Sequence, residues 1–471
     1  MREAHAVEDV RRAERALMAT VPAGTLMARA AHGLAVACVD FLGGTYGRRV
    51  VVLAGSGNNG GDGLFAGALL ARRGARVTAV PIGERVHEGG MDALRRAGGE
   101  VSDHVGPADL ALDAIVGIGG HGGLGGRARR LVDEVASNRT PVVAVDVPSG
   151  IGVDTGELDG PHVSADLTVT FGTYKTGLLV GPAAHAAGPV HLVEIGLRDL
   201  RDAAVTALQT GDVSSRLDRP RAKDHKYTRG VVGVAAGSAQ YTGAGLLATA
   251  GASCGLAGMV RYCGAAEVAD LVRARHPEVV VGEGRVQVWV VGSGGAGDAQ
   301  AALRRALADD VPVVVDAEAL RHLPDRLPRS VVLTPHAGEL AELLGVKRAD
   351  VESRPLHFVR AAAERFSVTV LLKGDRTLVA DPDRNAAVAV NPTGNPWLAT
   401  AGAGDVLAGL IGALLATSAV PFDAARLGAW LHGAAATWAG QGGPIGAGDV
   451  AAAVPEVVRH LLAGTLDADE R

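Results

Sequence analysis

Four apolar runs in the first half of the chain end on groups able to do chemistry. VVVLAGSGNNGGDG leads a run of valines into a turn with Gly55, Gly57 and Gly60 in G-x-G-x-x-G spacing, and Asn58, Asn59 and Asp62 crowd that turn. Glycines let the backbone come close to a ligand, and the free amides of a following helix favour phosphate. The spacing alone is weak in a chain with 66 glycines. The polar side chains add to it: the two Asn amides offer donors and acceptors. Asp62 can either cap a helix expected to start near it or orient a ligand hydroxyl. Asp113 lies in LALDAIVGIGGHGGLGG, Asp146 and Ser149 in VAVDVPSG, and Lys175 in TFGTYKTG. One acid at a strand exit can be a buried, hydrogen-bonded group. Four polar exits point to a site at the carboxyl ends of parallel strands.

The second half carries a sharper constellation. In ATAGAGDVLAGL, the small residues Ala401–Gly404 lead into Asp405 at the start of an apolar helix. Successive amides there form an anion hole at the positive helix end. Asp405 is then placed to take a proton from a hydroxyl attacking a phosphoryl group, although the same pattern also describes an N-capping aspartate. Upstream, LLKGDRTLVA reads as strand–turn–strand with Lys373, Gly374 and Thr377 able to hold nucleotide phosphates, and NPTGNPW adds a tight polar turn. His336 in LTPHAGEL follows a buried strand, where a histidine is more often a hydrogen-bonded structural residue; Glu339 beside it favours a functional role.

The elements that must position these groups read as two α/β series. RRVVVLAG, ARVTAVPIG, LALDAIVGIG, PVVAVDVPSG and ADLTVTFG predict buried strands, with helical spacing between them in segments such as GDGLFAGALLARRG. GVVGVAAGS, VQVWVVGSG, VPVVVDAEAL, SVVLTPHAGE and VTVLLKGD predict a second series. β–α–β order implies mostly parallel sheets covered on both faces. Between the series, residues 198–227 are polar and charged with no strong strand, which places a boundary near residue 212.

Composition narrows the classes. Hydrophobic residues make up 48% and charged residues 21% of the 471, the balance of a soluble globular protein. A net charge of −5 without a basic block argues against nucleic acid or an anionic membrane as partner. Three cysteines without a C-x-x-C pair argue against disulfides and a Cys-rich zinc site, and a reducing cytoplasm is expected. The charged N-terminus lacks the apolar core of a secretory signal. VLAGLIGALLATSAVPF is slightly short for a membrane span and reads as a buried helix. GASCG, residues 251–255, matches G-x-S-x-G formally but sits in a helical stretch, so Ser253 is not expected on a nucleophile elbow. H-E-x-x-H and the G-x-x-x-x-G-K-[ST] loop are absent from the sequence.

AGSGNNGGDGL, LDAIVGIGGHGGL and VDVPSG resemble the epimerase domain of the NAD(P)H-hydrate repair enzymes, and LMARAAHGLA fits its opening helix. HKYTRGVVGVAAGSAQYTGAGLLATAGASCGLAGMV, LTPHAGEL, LLKGDRT and GAGDVLAG resemble the ribokinase-like, ADP- or ATP-dependent NAD(P)H-hydrate dehydratase. The resemblance implies an α/β chain: a Rossmann-like epimerase domain over residues 1–211 and a ribokinase-like dehydratase domain over 212–471.

It also implies site residues. Asn58, Asn59, Gly60, Gly61, Asp62 and Gly117, Ile118, Gly119, Gly120, His121, Gly122, Gly123 would line the hydrate site, with Asp146 contacting the hydrate. Asn59, Asp113 and Ser149 would hold K+; Asp113 would be the acid/base, helped by Lys175. In the second domain Ala244, Gly294, His336 and Asp405 would face the hydrate, and Lys373, Gly374, Asp375, Arg376, Thr377 and Gly404 would hold the nucleotide. Mg2+ would accompany ADP or ATP, with ADP favoured as in bacterial members. Two turns depart from the family pattern: Ala236 stands where glycine is usual, and GSGGAG replaces the usual Gly-Pro-Gly turn.

The expected activity is interconversion of R and S hydrates of NADH and NADPH, followed by dehydration of the S form. The expected partners are these small molecules in a cytoplasmic homo-oligomer, without nucleic acid or membrane. The rivals are a ribokinase-like kinase of a vitamin-type alcohol fused to a nucleotide-binding domain, and a first domain that binds nucleotide without catalysis.

Overall fold

The computed structural model describes residues 1–120, 122–198, 200–295 and 298–466. His121, assigned above to the hydrate site, lies outside the described residues. Two compact units emerge: Glu3–Val205, and Thr206–Arg471 with Met1–Arg2.

The first unit is built on seven strands: β1 (Arg49–Ala54), β2 (Arg76–Pro81), β3 (Glu100–Val101), β4 (Leu110–Ala114), β5 (Val142–Val145), β6 (Leu167–Phe171) and β7 (Val190–Val193). Their order is 3-2-1-4-5-6-7, and every pairing is parallel. Period-two alternation divides the side chains between the two faces. Val50, Val52 and Ala54 pack with the helices Thr25–Leu42 and Asn58–Arg72, whereas Val51 and Leu53 pack with Leu131 and Val135 of the helix Gly126–Ser137. Each such Val or Leu contributes about 1.5–3 kcal/mol when fully buried. The helix Thr25–Leu42 is long and apolar enough to cross a membrane by length and composition. Its Ala30, Ala31, Leu34 and Cys38 are buried in this core.

Strand order reverses between β1 and β4, so their exits flank a crevice. The β1 exit is held close by Gly55, whose amide donates to Ala114 O at 3.0 Å. A Cβ on Gly60 would lie 2.1 Å from Gly55 O, so glycine is required at that close approach. The helix begins at Asn58 rather than near Asp62, and its N-cap Gly57 offers no side chain. Asp62 therefore does not cap it. Tight packing of the glycines against the β1 exit overrides their poor helix propensity.

The second unit has β8 (Val231–Ala235), β9 (Met259–Tyr262), β10 (Val280–Val281), β11 (Val288–Val291), β12 (Val313–Val315), β13 (Val331–Leu333), β14 (Thr369–Leu372), β15 (Thr377–Ala380) and β16 (Val388–Asn391). The order is 10-9-8-11-12-13-14-15-16, parallel through β14 and antiparallel after it. The apolar run after residue 405 is a buried helix, Ala403–Ala416, which stops before Ser418 at φ 72°; the next helix starts at Pro421. It packs on the helix Thr242–Ala252 backbone to backbone: a Cβ on Gly409 would fall 2.1 Å from Ala248 O. Ser253 is the C-cap of Thr242–Ala252, so no strained elbow exposes it.

Three cysteines are free, as expected. The polar stretch between the two series does hold a strand, Val205–Ala207, and a helix, Thr210–Arg216. Three residues are too few to show alternation in sequence.

Candidate active sites

At the first site, Asp113 is the fourth residue of β4 and fully buried. Its Oδ2 accepts the Ser149 amide at 2.7 Å; its Oδ1 accepts the Ser149 hydroxyl at 2.6 Å and the Ile115 amide at 3.3 Å. Burial pushes its carboxyl up to about 6, with these hydrogen bonds pulling the other way. All of these donors are neutral. Ser149 also accepts from the Val116 amide at 3.0 Å, which brings the Val116–Gly117 turn to this point. On the other side of the loop, a Cβ on Gly117 would lie 2.9 Å from Asn59 Oδ1, while Asn59 Nδ2 is buried without a partner among the described residues. Asp113 and Ser149, with Asn59 across the Gly117 turn, offer carboxylate, hydroxyl and amide groups. That donor set fits a hard cation such as K+, and the neutral donors leave the carboxylate charge uncompensated.

A second group stands beside it in sequence. Asp146, just past β5, has φ 68°, a strained value for a non-glycine residue. Its Oδ1 accepts Lys175 Nζ at 2.5 Å and Thr170 Oγ1 at 3.1 Å. Lys175 is 1% exposed and also donates to Thr170 Oγ1 and Phe171 O, both at 2.9 Å, so all three of its protons have acceptors. Asp62 is pushed well above the usual carboxylate range by burial, then by the charges of Asp146 and Glu14, with Lys175 in opposition. Its Oδ1 is buried without a partner among the described residues. Glu14, on the helix Val7–Met18, is likewise raised by burial and by Asp146. Sequence reasoning missed Glu14. A charged amphipathic helix displays many carboxylates, and nothing local marks the one that turns inward.

Gly119 and Ile118 lie on the same loop, the first against Arg11 and the second against the Val147 cluster. Gly122 adopts φ 68° and Gly123 packs on Gly160.

In the second unit the strand reversal falls between β8 and β11. There the Gly237 amide donates to Ser293 O at 2.6 Å, and a Cβ on Gly294 would lie 2.5 Å from that of Ala244. The structure therefore brings Ala244 and Gly294 together. Gly294, Tyr241, Glu339, Arg321 and Phe366 line part of a cleft of about 680 Å³. The exits of β13 and β14 run side by side: His336 bridges Lys373 in parallel register, and the Lys373 amide donates to Pro335 O at 2.8 Å. His336 is exposed and caps the helix Ala337–Leu344. Its Nδ1 accepts the Glu339 amide at 3.1 Å, and Glu339 Oε2 accepts the His336 amide at 2.7 Å.

Lys373 Nζ meets Asp316 at 2.7 Å and Glu339 at 3.9 Å. Burial lowers its proton affinity, but the carboxylates of Asp316, Glu339 and Asp405 outweigh that and hold it above its ordinary value. A Cβ on Gly404 would lie 3.3 Å from this Nζ, so the bare glycine leaves the ammonium open to the helix end. Asp405 is the third residue of Ala403–Ala416, where amides have no partner within the helix. Burial and then the Asp316 charge push its carboxyl up to about 6, against a hydrogen bond from Ser293 and the charge of Lys373. The β14–β15 hairpin carries Gly374–Thr377, with Thr377 Oγ1 donating to Gly374 O at 3.2 Å.

His432, on the helix Pro421–Gly440, is lowered to about 4 by burial, with the Ala403 backbone in opposition, and so stays neutral. Asp316, Ser293 and His432 were not singled out in sequence. Asp316 had a signal, since it follows the valine run of VPVVVDAEAL as Asp146 follows that of VAVDVPSG.

A family model described as NAD(P)H-hydrate dehydratase matches residues 232–447, and one described as YjeF-related protein N-terminus matches 23–177. The bifunctional NAD(P)H-hydrate repair enzyme Nnr of Mycobacterium leprae is 45% identical over 481 residues, covering 98% of each chain. The enzyme of the same name from Escherichia coli is 36% identical, over 83% of this chain and 80% of its own. A crystal structure of the Bacillus subtilis ADP/ATP-dependent NAD(P)H-hydrate dehydratase, co-crystallised with ATP/Mg2+, matches at 28% identity and TM-score 0.50. It covers 54% of this chain and 97% of that one. A ribokinase-like protein from Enterococcus faecalis, 22% identical, shares the fold at TM-score 0.50 over 56% of this chain and 99% of its own.

Proposed function

Because this chain belongs to the bifunctional NAD(P)H-hydrate repair enzymes, we propose that it divides the repair between its two sites. The epimerase work falls to residues 1–211 and the ADP- or ATP-dependent dehydration to 212–471. The observation that carries the reading is Asp405 at an amide-bearing helix end, with Lys373 beside Gly404.

At the second site, Lys373–Thr377 and Gly404 hold the nucleotide phosphates, and Ala244, Gly294 and His336 face the hydrate. Asp405 takes the proton from the hydrate's hydroxyl as that oxygen bonds phosphorus and the ADP phosphoanhydride breaks, releasing AMP. The C–O bond then breaks, phosphate leaves, and loss of a ring proton restores the double bond. Mg2+ arriving with the nucleotide would neutralise phosphate charge there. With a carboxyl held near 6, Asp405 is mostly ionised at neutral pH yet basic enough to act.

At the first site, Asn58–Asp62 and Gly117–Gly123 line the hydrate pocket and Asp146 contacts the hydrate. Asp113 removes and returns the proton needed for epimer exchange, and Lys175 orients Asp146. Asn59, Asp113 and Ser149 would hold K+, which supplies a fixed positive charge to the site. The same reading takes small molecules as the partners of a cytoplasmic homo-oligomer.

The test is direct: incubate the full chain with hydrated NADH, ADP and Mg2+ and follow absorbance of the reduced nicotinamide. Recovery that stops at the S fraction in Asp113→Ala, and vanishes in Asp405→Asn, fits both assignments. Phosphorylation of an alcohol that remains stable, without recovery, overturns the second.

A further inference from the structure

The helix Val7–Met18 and the glycine loop after β4 are held to one core. Val7 and Ile118 pack on the same cluster of Val147, Ile151 and Leu178, and Asp154 Oδ1 accepts the Val7 amide at 2.8 Å. Val7, Arg11 and Glu14 recur at i, i+4 and i+7, so they share one face of that helix. Arg11 comes to lie over Gly119: a Cβ on that glycine would be 3.3 Å from Arg11 Nη2, with no other described atom, apart from its chain neighbours, within 4 Å. The guanidinium thus occupies the space that a side chain at 119 would fill. Arg11 is exposed. Among the described residues it makes no hydrogen bond and no ion pair, whereas its neighbour Arg12 is tied to Asp9.

We propose that Arg11 is a substrate-binding residue of the first site, holding the diphosphate that joins the two nucleosides of the hydrate. The inference rests on the first-site reading above. That site is otherwise rich in carboxylates: Asp62, Asp113 and Asp146 at the strand exits and on the following helix, and Glu14 three residues on from Arg11. Its other cation, Lys175, gives all three protons to Asp146, Thr170 and Phe171. A diphosphate entering among carboxylates meets like charge and needs a cation that is free to bind it. Arg11 is free, and its planar guanidinium can bond two phosphate oxygens at once. The unpartnered amides at the start of the helix Asn58–Arg72, whose N-cap Gly57 has no side chain, supply a second anion-binding element. Asn59 of that helix faces Gly117, two residues before Gly119, so the helix start and the guanidinium meet neighbouring parts of one loop.

The experiment follows exchange of the resolved R hydrate of NADH by the full chain without ADP, so that dehydration does not draw on the S form. Arg11→Ala should raise KM about 10- to 100-fold with kcat nearly unchanged. Arg11→Lys should recover part of the loss, because an ammonium keeps the charge but not the paired bonds. Arg15→Ala, which removes an exposed arginine from the same helix, should keep KM within about twofold. The hydrate of reduced nicotinamide riboside carries no phosphate, and its kcat/KM should fall less than about twofold in Arg11→Ala. If that exchange is too slow to follow, inhibition by inorganic pyrophosphate takes its place and should be about tenfold weaker in Arg11→Ala than in wild type. An equal loss on the riboside, equal inhibition by pyrophosphate, or a rise of the same size in Arg15→Ala overturns the proposal. Wild type that exchanges no epimers sinks the first-site reading and this inference with it, whereas exchange that keeps its KM in Arg11→Ala sinks this inference alone.

Discussion

Both units use the same local device and reach opposite electrostatics. Each places a glycine-rich turn where strand order reverses, and each sets an aspartate near the start of a helix that follows a glycine turn. Asp62 lies in the second turn of its helix, among the carboxylates of Asp146 and Glu14, with one ammonium in reach and one oxygen unpartnered. Asp405 lies in the first turn of its helix, with Lys373 and Ser293 set against one acidic neighbour. Burial raises both carboxyls. What differs is how much of that cost the neighbours offset. An ionised acid with an ammonium beside it suits proton abstraction during phosphoryl transfer. In the first unit the carboxyls of Asp62 and Glu14 are instead raised by burial and by the charge of Asp146.

The largest expected effect separates the sites functionally. Asp405→Asn should lower dehydration by about 10²–10⁴-fold, with epimer exchange unchanged in an assay that resolves R and S hydrates. A parallel loss of exchange would erase the distinction.

Next comes the contrast between the two lysines. Lys175→Met leaves Asp146 buried without its ammonium and should destabilise the protein by about 3–5 kcal/mol in denaturant titration. Lys373 is 19% exposed, so Lys373→Met should cost less stability and more nucleotide affinity. Equal stability losses would contradict the burial difference.

A third effect runs through pH. A carboxyl raised in the folded state binds its proton more tightly there than in the unfolded chain. Stability therefore falls as pH rises from 3.8 to about 6 on account of Asp405, and stays reduced above that. Asn does not titrate, so Asp405→Asn should be more stable than wild type at pH 7 by up to about 3 kcal/mol, and no more stable below the unfolded value. Asp62→Asn should act in the same direction. Thermal unfolding of each variant at acid and neutral pH measures this. A gain that persists at low pH would point to packing instead.

The smallest effect concerns Gly404. A Cβ at 3.3 Å from the mobile end of Lys373 displaces it only slightly, so Gly404→Ala should raise the ADP KM about two- to fivefold, less than 1 kcal/mol, with kcat nearly kept.

Much of this protein was legible in one dimension. Strand runs, the two α/β series, the buried helix after Asp405 and the polar groups at strand exits are all local patterns, because side-chain period and turn chemistry are set by neighbours in sequence. Strand order, and with it the grouping at each site, came from the fold. The 3-2-1-4 order put Asn59 against Gly117, and the run 11-12-13-14 gathered Ser293, Asp316 and Lys373 at neighbouring strand exits. The inward turn of Glu14 and the neutral His432 are equally tertiary. Desolvation and charge coupling act through space and depend on which groups share a dry volume. Residues far apart in sequence acquire their proton affinities only once the chain has closed around them.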